Sequence, residues 1–104
     1  MTTPLTLETG RRDDGTVVLT ARGEIDLSNI DTFTEALSTV SSGGAVVTVD
    51  LGAVQYLDSG AINALFTYAE RIRLIVNPLL MRVLKISGLT ELTTVEPAPQ
   101  LRPE

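Results

Sequence analysis

The run Ala45-Val46-Val47-Thr48-Val49-Asp50-Leu51, continuing through Gly52 to Leu57 and into Asp58-Ser59-Gly60-Ala61-Ile62, decides the fold. Its first seven residues are almost all apolar, and three of them are β-branched valines. A run so short and so rich in valine predicts a central strand covered on both faces. Gly52 to Leu57 reads as the connection leaving that strand. Asp58-Ser59 then predicts the start of a helix, with Ser59 as its cap, because a short side-chain oxygen there satisfies a free amide of the first turn. Ile62, Leu65, Phe66, Ala69 and Ile72 recur at helical spacing and predict its core stripe.

Upstream, residues 5–9 and 16–22 read as two strands joined by Asp13-Asp14-Gly15, where glycine takes a positive φ without strain. Gly23-Glu24-Ile25-Asp26-Leu27 leaves the second strand. Ser28 predicts a helix cap, and Ile30, Phe33, Leu37 and Val40 follow as a stripe. Ser41-Ser42-Gly43-Gly44 stops that helix. Downstream, Leu74-Ile75-Val76 is a short strand. Asn77-Pro78 ends it and opens a third helix, since proline is tolerated in a first turn. Leu80, Val83 and Leu84 make its expected stripe, with Gly88 just past its end. Leu92 to Val95 adds an edge strand.

Strands joined through helices imply parallel pairing by right-handed crossovers. The expectation is a single α/β domain over residues 1–95. It has a small mixed sheet of four to five strands and about three helices, packed mainly on one face. Residues 96–104, with Pro97, Pro99 and Pro103, are expected to form a disordered tail.

Composition narrows the function. At 104 residues the chain has room for one core, and 43% hydrophobic content supplies it. There is no cysteine and no histidine. Disulfides, thiolate sites, the usual zinc ligands and histidine acid–base catalysis are therefore excluded. The net charge of −5 disfavours nucleic acid and anionic membrane. Arg71, Arg73, Arg82 and Lys85 cluster in the C-terminal third, which reads first as a solvated face. No secretory leader and no spanning run of about 20 apolar residues is visible, so a cytoplasmic location is expected.

Sites in open α/β sheets form beyond the carboxyl ends of the strands. Two loops leave such ends, Glu24 to Ser28 and Val54 to Gly60. If their strands are neighbours, Asp26, Asp58 and Ser59 converge. Ser59 as a nucleophile would need a base, and Lys85 is the sole lysine. No Gly-x-Ser-x-Gly elbow and no Gly-Lys-Ser/Thr phosphate loop is present. Two aspartates alone make a weak magnesium site. No catalytic residue, metal or cofactor is expected.

The residues Val49-Asp50-Leu51-Gly52-Ala53-Val54-Gln55-Tyr56-Leu57-Asp58-Ser59-Gly60-Ala61-Ile62 resemble the signature of the anti-sigma-factor antagonists, the STAS domains. Gly23-Glu24-Ile25-Asp26, Asn77-Pro78 and Ser87-Gly88-Leu89 resemble further family motifs, in the family's order, over about residues 5–95. The resemblance implies a cytoplasmic bacterial regulator that binds an anti-sigma factor with Ser kinase activity and so frees a sigma factor. It implies phosphorylation of Ser59 as the off-switch. It implies a partner surface of Asp26, Asp58, Ser59, Gly60, Ala61 and Ile62, on a monomer or weak dimer. One departure stands out: the family's usual Ser or Ala followed by Gly is reversed here, as Gly60-Ala61. A scaffold or ligand-sensing module of the same fold, never phosphorylated, is the alternative.

Overall fold

The central strand does not stop at Leu51. In the computed structural model, which describes residues 4–99, the main elements run β1 (Thr6–Arg11), β2 (Val17–Ile25), α1 (Ile30–Ser41), β3 (Val47–Leu57), α2 (Ser59–Thr67), β4 (Ile72–Val76), α3 (Pro78–Ser87) and β5 (Val95–Pro97). Short 3-10 segments at Ala69–Arg71 and Leu89–Glu91 follow α2 and α3. The sheet has five strands in the order β1-β2-β3-β4-β5. β1 is antiparallel to β2, and all other pairs are parallel. Each βαβ crossover steps one place in the same direction along the sheet. With the right hand that such crossovers take, all three helices fall on one face.

The core records that one-sided layering. Leu19, Ala21, Ile25, Val49, Leu51, Leu74 and Val76 of the sheet are buried against Phe33 and Leu37 of α1, Leu65 of α2, and Leu80 and Leu84 of α3. On β2 the intervening Arg22 is exposed and pairs with Glu8 across the antiparallel ladder at 3.2 Å. Arg73 of β4 reaches Glu96 of β5 at 3.6 Å. Exposed pairs like these add at most a fraction of a kcal/mol, on the order of 0–1. Apolar burial on the helix side therefore carries the fold.

Five expectations change. First, β2 continues through Gly23-Glu24-Ile25, and β3 through Gly52 to Leu57, because the two pair with each other to Ile25↔Leu57. The register shifts twice, each time with an extra residue on β3. That is why its core positions Leu51, Val54 and Leu57 recur every three residues rather than every two. Second, Ser28 does not cap α1; Asn29 occupies that position. Third, α2 ends at Thr67, and Ile72, expected in its stripe, is the first residue of β4. Fourth, Val83 is not in the core of α3 but 39% exposed. Fifth, β5 and the bond from Ala98 N to Val76 O (2.7 Å) carry ordered pairing past residue 95, into the stretch expected as tail. The rest of that stretch, residues 100–104, lies outside the described residues.

Two glycines meet firm requirements. Gly15, in the β1–β2 turn, has φ +88°, and Gly88 caps α3 in the left-handed region at φ +89°.

Candidate partner-binding site

β2 and β3 end side by side at Ile25 and Leu57, and Asp58 N donates to Ile25 O at 3.1 Å. Asp26 and Asp58, the next residue of each chain segment, therefore sit at one edge of the sheet. The expected convergence of the two loops is present.

Asp58, not Ser59, is the N-cap of α2. Its φ of −85° and ψ of 178° are extended, and its Oδ1 accepts from Ala61 N at 3.0 Å. The cap is one residue earlier than expected: aspartate and serine are equally good caps, and it is Asp58 that takes the extended backbone of the cap position. Ser59 becomes the first helical residue. It is exposed, and its hydroxyl takes no part in the cap. Its amide and that of Gly60 have no partner within the helix. An anion on the Ser59 oxygen would sit beside these donors and the positive end of the α2 dipole.

Asp26 is held by a different network. Its amide donates to Asn29 Oδ1 at 3.0 Å. Its Oδ1 accepts from Ser28 N at 2.9 Å and from the Ser28 hydroxyl. Asn29 Nδ2 donates in turn to Glu24 O at 2.9 Å. The four-residue turn is thus tied at both ends, and its remaining member, Leu27, projects outward at 84% exposure. Sequence reasoning missed Leu27. Leu27 stands three residues before Ile30, in step with Ile30, Phe33 and Leu37, so its spacing gives no sign of its exposure.

The other expected site residues divide. Gly60 is half-buried, and a side chain there would meet Asp58 Oδ1 at 3.3 Å and Ile30 Cγ1 at 3.5 Å. It is the point where α2 approaches α1. Ala61 is fully buried at 0% exposure, and its expected place on the partner surface is corrected to the core. Ile62 is half-buried against the core. Of the reversed pair Gly60-Ala61, Ala61 therefore faces inward, while Gly60, half-buried, still borders Ser59. Asp50 is half-buried and accepts from Gly52 N at 2.9 Å, a structural role at the β3 irregularity.

Among the described residues, no group of three or more acidic side chains gathers where it could hold a metal ion. No helix among them is long and apolar enough to cross a membrane.

The arrangement is that of a one-sided α/β domain presenting a serine at a helix start beyond the parallel strand ends. The STAS domain model matches residues 10–98, and the chain belongs to the STAS domain family. Its fold is similar to that of an anti-sigma factor antagonist from Mycobacterium paratuberculosis, at 23% identity and TM-score 0.81, over 94% of this chain and 88% of that one. The anti-sigma factor antagonist SpoIIAA in its unphosphorylated form is 24% identical, with TM-score 0.59, over 91% and 90% of the two chains. SpoIIAA of Bacillus, a cell fate determinant, in its phosphorylated form is 24% identical, with TM-score 0.55, over 91% and 93%. No curated protein matches the sequence.

Proposed function

We propose that this chain is an anti-sigma-factor antagonist, a cytoplasmic binding module rather than an enzyme. It docks on an anti-sigma factor with Ser kinase activity through the edge formed by Asp26, Leu27, Asp58, Ser59 and Gly60, and so frees a sigma factor. Phosphorylation of Ser59 ends that contact. The observation that carries the reading is the exposed Ser59 hydroxyl at the first position of α2, free of the cap and level with the Asp26 turn. The existence of SpoIIAA in phosphorylated and unphosphorylated forms supports it.

The physics of the switch follows from that position. A phosphate adds up to about two negative charges. Inside the domain, the free amides of Ser59 and Gly60 and the α2 dipole offset repulsion from Asp58, so the fold stays intact. At the interface there is no such compensation. A partner packed on Ser59 would bury an unpaired dianion beside two carboxylates, at a cost of several kcal/mol. The burial of Ala61 supports this reading over an unphosphorylated scaffold, because that half of the departure from the family pattern lies in the core, out of a partner's reach.

The test is a binding assay with the cognate anti-sigma kinase, comparing wild type, Ser59→Ala and Ser59→Glu, with mass spectrometry after incubation with ATP. The expected result is retained binding by Ser59→Ala, loss by Ser59→Glu, and one phosphate on wild type only. Equal binding by wild type and Ser59→Glu would sink the switch.

A further inference from the structure

Helix α3 carries apolar side chains on two sides. Leu80 and Leu84 point into the core. Leu79, Val83 and Ile86 do not: they are 80%, 39% and 75% exposed. Their spacing of four and three places them in one stripe along the outer surface of the helix. A solvated helix face in a one-sided α/β domain is ordinarily polar. Three large apolar side chains in line make a patch on the order of a few hundred Å², the size at which exposed patches mark interaction sites.

The charges on α3 itself are all of one sign. Within α3 the only ionisable side chains are Arg82 and Lys85, both exposed, in a chain of net charge −5. Stepping 100° per residue, Arg82 borders the stripe and Lys85 lies beyond it on the same side. The positive charge reads from the sequence as a solvated face, but in the structure it forms the margin of an apolar stripe.

We propose that the outer face of α3 is a docking surface for a single amphipathic helix of a partner protein, one with leucine-type side chains along one face and acidic residues on its margin. Charge complementarity selects that occupant. A second copy fits badly. Two α3 faces brought together would oppose Arg82 and Lys85 to their own kind. The acidic helix of the chain, α1, with Asp31 and Glu35, already spends its apolar side, Phe33 and Leu37, on the core. The patch is also well below the roughly 800 Å² per partner of a stable interface, which suits one transient helix and not a lasting dimer. This surface shares no residue with the Ser59 turn, and the proposal does not depend on the switch.

The experiment uses the full chain and two designed helical peptides of equal length. Both carry leucines at i, i+4 and i+7; one has glutamates on the margin, the other lysines. The expected result is that the glutamate peptide binds with shifts in backbone NMR signals confined to Leu79, Arg82, Val83 and Ile86 and their neighbours. The lysine peptide binds at least tenfold more weakly. Leu79→Gln/Ile86→Gln, at exposed positions that leave the melting temperature unchanged, weakens the glutamate peptide at least tenfold. Arg82→Glu/Lys85→Glu reverses the preference between the peptides. Equal binding of both peptides, shifts elsewhere on the surface, or an unchanged affinity in Leu79→Gln/Ile86→Gln overturns the proposal. A defect of Ser59→Glu with the anti-sigma kinase bears only on the switch.

Discussion

Two strand-to-helix junctions stand side by side, at the ends of β2 and β3, and they solve the same problem differently. Both strands stop at the same level, Ile25 opposite Leu57. β3 passes into α2 through one residue, Asp58, whose carboxylate caps the helix directly. β2 reaches α1 through four, Asp26 to Asn29, and Asn29 at the cap position makes no side-chain bond to the helix. Its amide is used backwards instead, to hold Asp26 N and Glu24 O. The short junction leaves its next residue, Ser59, rigidly placed and chemically free. The long one throws Leu27 outward. One presents a hydroxyl, the other an exposed apolar side chain, and together they make an edge that neither would make alone.

The sharpest way to break the pair is where the helices meet. A Cβ on Gly60 would crowd Asp58 Oδ1, which must give by a few tenths of an ångström, and would meet Ile30 at ordinary contact distance. Gly60→Val adds two further carbons against α1 and is expected to destabilise by about 1–3 kcal/mol, read as a lower urea midpoint at constant slope. Gly60→Ala is expected to fall close to neutral, because gained helix propensity offsets the crowding. The contrast between the two variants measures how tightly the junctions are packed on each other.

Next comes the long junction. Asn29→Ala removes two hydrogen bonds at half-buried positions and leaves Asp26 N and Glu24 O without these partners. The expected loss is about 1–2 kcal/mol, with amide exchange accelerated between Asp26 and Ile30. At the short junction, Asp58→Ala removes the cap and is expected to lose about 1 kcal/mol, whereas Asp58→Asn keeps an acceptor and most of the stability. If Asn29→Ala proved milder than Asp58→Ala, the long turn would be held by its backbone and not by the asparagine.

These junctions also mark what sequence conveys. The order of strands and helices is legible because periodicity and punctuation are local: Asn77-Pro78, Gly88 and the stripe of α1 all act where they were read. The ends of β2 and β3 are not legible. Gly52 to Leu57 lacks strand alternation because two extra residues on β3 shift its register, and only pairing with Gly23-Glu24-Ile25 makes it a strand. Ile72 fits a helical stripe and a strand equally well, so the break after Thr67 is invisible in the pattern. At the site, Asp26, Asp58 and Ser59 are brought together as topology suggested. The burial of Ala61 and the exposure of Leu27 depend on which way each turn faces, and residue type does not encode that.

The smallest effect lies at the opposite end of β2, and it calibrates the rest. Asp14, in the β1–β2 turn, is fully exposed and accepts from Thr16 N at 2.9 Å. Hydrogen bonds from Thr16, side chain first and then backbone, hold its carboxyl below the ordinary aspartate value. Those bonds favour the charged form, so the folded chain releases the proton more readily than the unfolded one. The stabilisation is complete above the unfolded-state pKa and fades as pH falls through the lowered folded value. An NMR titration should therefore find Asp14 below its ordinary value, and Thr16→Val should return it part of the way by removing the hydroxyl donor alone. Because the turn is open to water and lies at the far end of β2, the effect of Thr16→Val should stay local. At neutral pH the amide signals of Asp26 and of Asp58 to Ala61 should hold their positions in that variant while those of Asp13 to Thr16 shift. If both ends moved together, the junction edge would be coupled to the turn through β2 and could not be treated as a site in its own right.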